Sequence, residues 1–319
     1  MKTGIFWTSV ITASALIASC NEMIVTDKTY ITLTADMERM TRISLTEDNE
    51  TVVALWESDD KLTVWPRTDG HDGSEYQNVD DVSELGIISG AGSRSAAFSG
   101  MIYTENDSLN VIYCKNILTG NIKERTADGA FLCDATEQLL TTELNEAPLV
   151  LAGAYVRNTD RDMYEAIGGK MIHGGALFRI TIEGLSPDKE ISKITVEGEG
   201  IGMNPGFYVH EKGSLIQGEP YSADGNIVLD SNGRSVKTDN KGSITIYAYI
   251  IPSNSDKMIS DRVLNVVYGD GTGVVAGVLK FKDRYIEYGK CYSLNLKTAG
   301  VTAGFSDFIH AGEITLQFD

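Results

Sequence analysis

Four histidines, His71, His173, His210 and His310, are the only imidazoles in the 319 residues. A Ser or Cys nucleophile needs a His base and an orienting acid brought together. A helical zinc site needs two His four residues apart. Neither His-x-x-x-His nor His-Glu-x-x-His occurs. No Gly-x-Ser-x-Gly elbow occurs either; Ser89 has Ile87 where the first glycine would stand. Gly198, Gly200 and Gly202, and again Gly269, Gly271 and Gly273, follow strand-like runs. No helix opens behind them, and a phosphate cradle needs that helix N-terminus. They read as hairpin turns. The loop Pro66–Asp81 gathers Asp69, Asp72, Glu75, Asp80 and Asp81, the oxygen ligands that calcium takes. Their spacing departs from Asp-x-Asp-x-Asp-Gly, so a solvated loop is the simpler reading. A carboxylate pair for glycoside hydrolysis does not stand out from the background of so acidic a chain. The expectation is a protein with no catalytic residue, no metal and no cofactor.

The cysteines carry a different chemistry. Lys2 heads the apolar run Ile5–Ile17, which is too short and too rich in Ser and Thr to span a bilayer. It ends in Ile17-Ala18-Ser19-Cys20, the aliphatic-small-small-Cys order of a bacterial lipobox. Cleavage before Cys20 frees a thiol for acylation, and several acyl chains anchor a protein firmly. The other reading is an ordinary secretory signal beside a chance cysteine. Cys114, Cys133 and Cys291 remain, an odd number and a poor disulfide framework. Cys114 and Cys133 end strand-like runs and read as small buried residues. A Cys114–Cys133 bridge is the alternative in an envelope protein.

The formal net charge is −18, and removal of Met1–Ser19 takes away one Lys and no acid, leaving about −19. Nucleic-acid partners need a basic face, so this balance excludes them. It suits a soluble surface that does not stick non-specifically. The length fits one large or two medium domains. An apolar fraction of 42% supplies ordinary cores, and 32 Gly against 6 Pro favour many turns.

The elements that would position any site are strands. Thr29–Ala35 alternates Ile31, Leu33 and Ala35 against Tyr30, Thr32 and Thr34, the half-buried strand pattern. Thr41–Trp65 reads as three strands, Thr41–Leu45, Val52–Trp56 and Leu62–Trp65, joined by a polar turn and the acidic turn Glu57-Ser58-Asp59-Asp60. Ala96–Tyr103, Leu109–Cys114 and Leu149–Val156 follow. Glu137–Glu143 is one of the few places where a helical turn would fit. Four glycines around Lys170–His173 suggest a boundary. Beyond it Phe178–Ile182, Ile244–Ile250, Tyr292–Leu296 and Glu313–Asp319 again alternate, Ile191–Glu197 is a further strand, and Val263–Tyr268 and Val274–Phe281 flank the hairpin turn Gly269–Gly273. Asn232-Gly233 reads as a two-residue hairpin turn. The prediction is an all-β chain: signal 1–19, then two tandem antiparallel β-sandwich domains, 20–170 and 171–319.

Several of these runs carry a resemblance. Thr41-Arg42-x-Ser44-Leu45, a run ending in Trp56, and Asp60-Lys61-Leu62-Thr63-Val64-Trp65 look like the opening of the fimbrillin family, the Mfa-like fimbrial lipoproteins of Gram-negative anaerobes. Phe98-Ser99-Gly100-Met101-Ile102 is similar to a strand of its first domain. His173 ahead of Phe178–Ile182, with Ile191–Val196, resembles the start of its second domain. Tyr288-Gly289-Lys290-Cys291-Tyr292-Ser293-Leu294-Asn295-Leu296 resembles its close. The resemblance implies two transthyretin-like β-sandwich domains and a structural or adhesive subunit of fimbriae, carried to the outer membrane by lipid on Cys20. It implies other fimbrial subunits as partners, with host or bacterial surface ligands beside them. It also implies proteolysis after an Arg near the first domain's start, which removes a strand and opens a groove for a neighbour's strand. Arg42 matches that position, and Thr29–Ala35 is the strand that would leave. The plainer reading of Arg42 is an ordinary exposed residue. Ile314, Leu316 and Phe318 share the period-2 pattern and form the candidate donor strand; alternatively they complete their own sandwich.

Two rival functions remain from the residues. One is a lipid-anchored glycan-binding protein stacking sugars on Trp65, Tyr76 or Tyr221. The other is an envelope hydrolase using a carboxylate pair. The anchoring expectation is directly testable. Cys20→Ser should move the protein from the membrane to the soluble envelope fraction, and mass spectrometry of the wild-type mature N-terminus should find lipid. Unchanged fractionation would contradict it.

Overall fold

The computed structural model describes residues 29–37, 41–43, 55–67, 76–79, 82–102, 107–119, 122–125, 130–197, 207–209, 215–217, 226–251, 262–280, 288–298 and 314–315. They form an all-β structure. Among the described residues the helical content is one 3-10 turn, Leu144–Glu146.

In chain order the strands begin with β1 (Thr29–Asp36), β2 (Thr41–Ile43), β3 (Lys61–Pro66), β4 (Tyr76–Asn78), β5 (Ser83–Ser89) and β6 (Ser95–Ile102). Next come β7 (Ser108–Lys115), β8 (Ile122–Arg125), β9 (Ala130–Cys133), β10 (Glu137–Leu139), β11 (Leu149–Asn158), β12 (Met163–Ala166) and β13 (Ile172–His173). Then follow β14 (Ala176–Glu183), β15 (Ile191–Glu197), β16 (Phe207–Val209), β17 (Leu215–Gln217) and β18 (Ile227–Asp230). The last are β19 (Ile244–Ile250), β20 (Arg262–Tyr268), β21 (Gly273–Lys280), β22 (Lys290–Lys297) and β23 (Ile314–Thr315).

The first sheet runs β12-β1-β6-β5-β3-β7-β11-β13, and β12 also pairs with β11. It therefore closes into a barrel-like ring, with β13 further along the same edge of β11. The strand between β12 and β6 is β1. It runs antiparallel to β6 from Thr29↔Ile102 to Asp36↔Ser95, and parallel to β12 at Leu33↔Tyr164. Its alternation is the one expected: Ile31, Leu33 and Ala35 are buried, and Tyr30 is 64% exposed. Neighbouring β5 and β6 are very close at Gly100. A Cβ there would lie 2.7 Å from the Glu84 carbonyl oxygen, which gives the Phe-Ser-Gly run its glycine.

A second core lies between two further sheets, β10-β18-β15-β20-β21-β23 and β19-β14-β22-β2. Ile180, Ile182, Ile246 and Leu294 from one meet Ile194, Leu229, Leu264 and Val266 from the other. Phe178 stacks on Tyr292 with ring centres 4.9 Å apart. A fourth sheet, β17-β16-β9-β8-β4, lies against the ring, where Phe131 of β9 meets Trp65 of β3 edge-on at 5.1 Å.

The structure differs from the sequence reading in several places. Glu137–Glu143 is not a helical turn: Glu137–Leu139 pairs parallel with β18, and the helical turn comes one step later at Leu144–Glu146. In Val52–Trp56, residues 52–54 lie outside the described residues, and Leu55 and Trp56 lie outside the strands. Asn232 and Gly233 both take positive φ, 48° and 78°, as a tight turn needs. They join no hairpin, because β18 and β19 belong to different sheets. Within Pro66–Asp81, Tyr76–Asn78 pairs with β8. The five acids of that loop lie outside the described residues. The sheets are also mixed rather than antiparallel throughout, with β1–β12, β2–β22, β10–β18, β14–β22 and β21–β23 parallel.

The segment after β9 joins the two cores. Leu140 is fully buried in the second core, although its sequence neighbours Ala135 and Ala147 belong to the first. Leu140→Ala should cost about 2–5 kcal/mol of stability, the usual range for a fully buried Leu. Denaturant unfolding would measure it, and a loss near zero would place Leu140 outside the core.

Candidate functional site

The strand β1 is held by more than its ladder. Trp56 sits fully buried just past the ring, and its indole N–H donates to the carbonyls of Ala35 (3.0 Å) and Arg94 (3.1 Å). Its ring meets Phe98 and Tyr113 edge-on, each with centres 4.9 Å apart. Such T-shaped pairs add specific attraction to apolar burial. The Met37 amide donates to Arg94, and the Met171 amide donates to Asp36. On the outer face the Tyr30 hydroxyl lies 2.6 Å from the Ser99 hydroxyl. The closing strand is therefore clamped at its C-terminal end by an aromatic cluster and bridged to β6 on its solvent face.

From Met37 the chain crosses to the second core. There Thr41, Arg42 and Ile43 form β2, parallel to β22 at Lys290, Cys291 and Tyr292. Among the described residues β2 is the outer strand of its sheet and has a partner on one side. Arg42 thus stands in extended, edge-on backbone, three residues long, directly downstream of β1. At the other end of the chain, Ile314 and Thr315 pair parallel with Leu279 and Lys280 at the rim of the six-stranded sheet. Leu316 and Phe318 lie outside the described residues, as does Cys20.

A polar cleft of about 380 Å³ opens beside the acidic turn. The carboxylates of Glu57, Asp59 and Asp60 lie within 4.8 Å of one another, a cluster that sequence reading treated only as a turn. The turn is self-satisfied. The Tyr113 hydroxyl and the Glu57 amide each donate to Asp60 at 2.6 Å, and Lys115 pairs with Glu57 at 2.8 Å. Burial raises the Asp60 carboxyl above its ordinary pKa, and burial, then Asp60, push the Tyr113 phenol up. A second cleft of about 940 Å³, partly apolar, adjoins it along Leu55, Trp56, Leu144 and Leu149.

Trp65 cannot serve as a sugar-stacking platform. It is 1% exposed and packed on Phe131. Tyr221 lies outside the described residues. The role of Trp56, which sequence reading took as the end of a strand, was signalled only by its large apolar ring next to an acidic turn.

No protein family model matches the chain, and no curated protein does. Among solved structures it is similar to a candidate cell adhesion protein from Bacteroides fragilis, at 11% identity over 91% of this chain and 97% of that one, with a TM-score of 0.41. A candidate cell adhesion protein from Bacteroides eggerthii is similar at 12% identity over 89% and 94%, with a TM-score of 0.32. A candidate adhesin from Bacteroides ovatus is similar at 9% identity over 93% and 98%, with a TM-score of 0.30. Identities this low leave the function to be read from the chain's own residues.

Trp56→Phe keeps an aromatic ring but removes the indole N–H shared by Ala35 and Arg94. Leaving buried carbonyls without that donor should cost about 1–3 kcal/mol. Amide exchange across Thr29–Asp36 should speed up more than exchange in β14 or β15. Equal protection of β1 in both proteins would show that the indole bonds do not hold it.

Proposed function

We propose that this chain is a structural or adhesive subunit of a cell-surface fimbria, built from two transthyretin-like units and carried to the outer membrane by lipid on Cys20. Cleavage after Arg42 releases β1, and a strand from another subunit takes its place between β6 and β12. The observation that carries this reading is the position of β1. It is the N-terminal strand of the ring, it buries Ile31, Leu33 and Ala35, and Arg42 follows it on a three-residue edge strand. Losing β1 leaves two unpaired strand edges and a row of apolar sockets, which a strand of the same period satisfies by β-augmentation. The Ile314, Leu316 and Phe318 pattern is the candidate donor. Among the described residues, Ile314 and Thr315 make a two-residue pairing at a sheet rim. Burying each large apolar side chain contributes roughly 1.5–3 kcal/mol before ordering costs. Its motifs, in the order given above, support the same class.

Nicking the protein with trypsin should cut at Arg42 and convert monomer into polymer, read by size-exclusion chromatography and electron microscopy. Leu316→Asp should be cut equally but remain monomeric. A nicked wild type that stays monomeric overturns strand replacement. Polymer formation by the Leu316→Asp variant overturns the C-terminal donor alone.

A further inference from the structure

We propose that Cys114 and Cys133 form a redox-responsive disulfide that fastens the β8–β9 hairpin to the ring. The two thiols lie on different sheets, Cys114 near the end of β7 and Cys133 at the end of β9, yet their sulfurs are 3.4 Å apart. Both are free thiols. An S–S bond is about 2.05 Å long, so closing it requires an approach of only about 1.4 Å. The surroundings fix the approach. Phe131 and Cys133 point the same way from β9, and Phe131 is already seated on Trp65 of the ring. Two neighbouring contacts therefore hold one strand against the ring.

Access is asymmetric. Cys133 is fully buried, whereas Cys114 is half-buried and lines the polar cleft with Lys115, Asn116 and Arg234. Contact with Cys114, then burial, pushes the Cys133 thiol well up. An incoming low-molecular-weight disulfide thus meets the Cys114 sulfur first. The Cys114 thiolate attacks one sulfur of that disulfide, giving a mixed disulfide and releasing one thiol. The Cys133 sulfur then attacks the Cys114 sulfur, and the Cys133 proton passes to the second thiolate as it leaves. Two protein thiols are oxidised, one external disulfide is reduced, and both protons end on the released thiols.

The consequence reaches beyond the hairpin. β9 also pairs with β16 through Phe131↔Phe207, so the fastened sheet includes strands from the later half of the chain. Closing the loop between Cys114 and Cys133 restricts the unfolded chain and stabilises the whole sheet.

The test uses the full chain with oxidised glutathione as the probe, followed by alkylation and peptide mapping. The expected product is a cross-linked peptide pair containing Cys114 and Cys133, two hydrogens lighter than the separate peptides. The thermal midpoint should rise by about 5 °C over the reduced protein. Cys133→Ser should stop at a glutathione adduct on Cys114, and Cys114→Ser should leave Cys133 unmodified. Persistent glutathione on Cys114 of the wild type without a cross-link would overturn the proposal. So would recovery of both thiols fully alkylated after denaturation, or first attack at Cys133.

Discussion

The structure depends on a closed backbone ladder. A strand edge exposes N–H and C=O groups that must find partners, and an edge facing apolar side chains cannot find them all in water. The ring avoids this by placing β1 between β6 and β12, so that both sides of the closing strand are paired. The buried face of β1 then fills the centre with Ile31, Leu33 and Ala35. Trp56 enforces the closure from outside the ladder, with two hydrogen bonds and two ring contacts. The buried face of this strand belongs to the same core as Trp56, Phe98 and Tyr113.

The two cores are joined by a side chain that behaves like a piece of strand. Gln138 is fully buried, yet its amide is satisfied. It donates to the carbonyls of Tyr249 (2.6 Å) and Ala135 (2.8 Å) and accepts from the Tyr249 amide at 2.8 Å. Tyr249 pairs with β14 on its other side, so Gln138 covers the exposed side of β19. The Thr141 carbonyl accepts from Tyr247 along the same side. The backbone of Glu137–Leu139 meanwhile pairs with β18 of the facing sheet. One short segment thus covers the edge of one sheet and extends the other. The Tyr249 hydroxyl completes the joint by donating to Val150 of the ring at 2.9 Å. Buried polar groups satisfied this fully fix one geometry, because any shift leaves several of them unpaired.

Strand identity was legible in the residues wherever alternation was clean. Thr29–Ala35 and Phe178–Ile182 declare both their type and their buried face, whereas Ile244–Ile250 declares its type alone, since Tyr247 and Tyr249 on its other face are buried too. Their partners were not legible, because a period-2 pattern is indifferent to which strand lies alongside or in which direction. Hence the parallel pairing of β1 with β12, and the ring it closes, could not be anticipated. Glu137–Leu139 misled for a physical reason: its sequence, Glu-Gln-Leu, has no β-branched or aromatic residue. Its strand conformation comes from the bonds of the Gln138 amide to Tyr249 and from the β18 ladder, partners distant in sequence. The thiol contact was legible only as the alternative reading, a Cys114–Cys133 bridge. Cys114 and Cys133 looked like separate small core residues until the ring and the outer sheet brought them face to face. The acidic turn was legible as a turn, but not as the wall of a cleft.

The pairing of β1 with β6 has a mechanical side. The two strands are antiparallel over the full eight residues of each. A pull along the strand axis loads all of their cross-strand bonds in shear, so they must yield together. A pull across the axis peels them one after another. Whatever strand occupies that slot, native or exchanged, is held most firmly against tension applied lengthwise. A molecule tugged from one end by flowing fluid would meet its greatest resistance along that line.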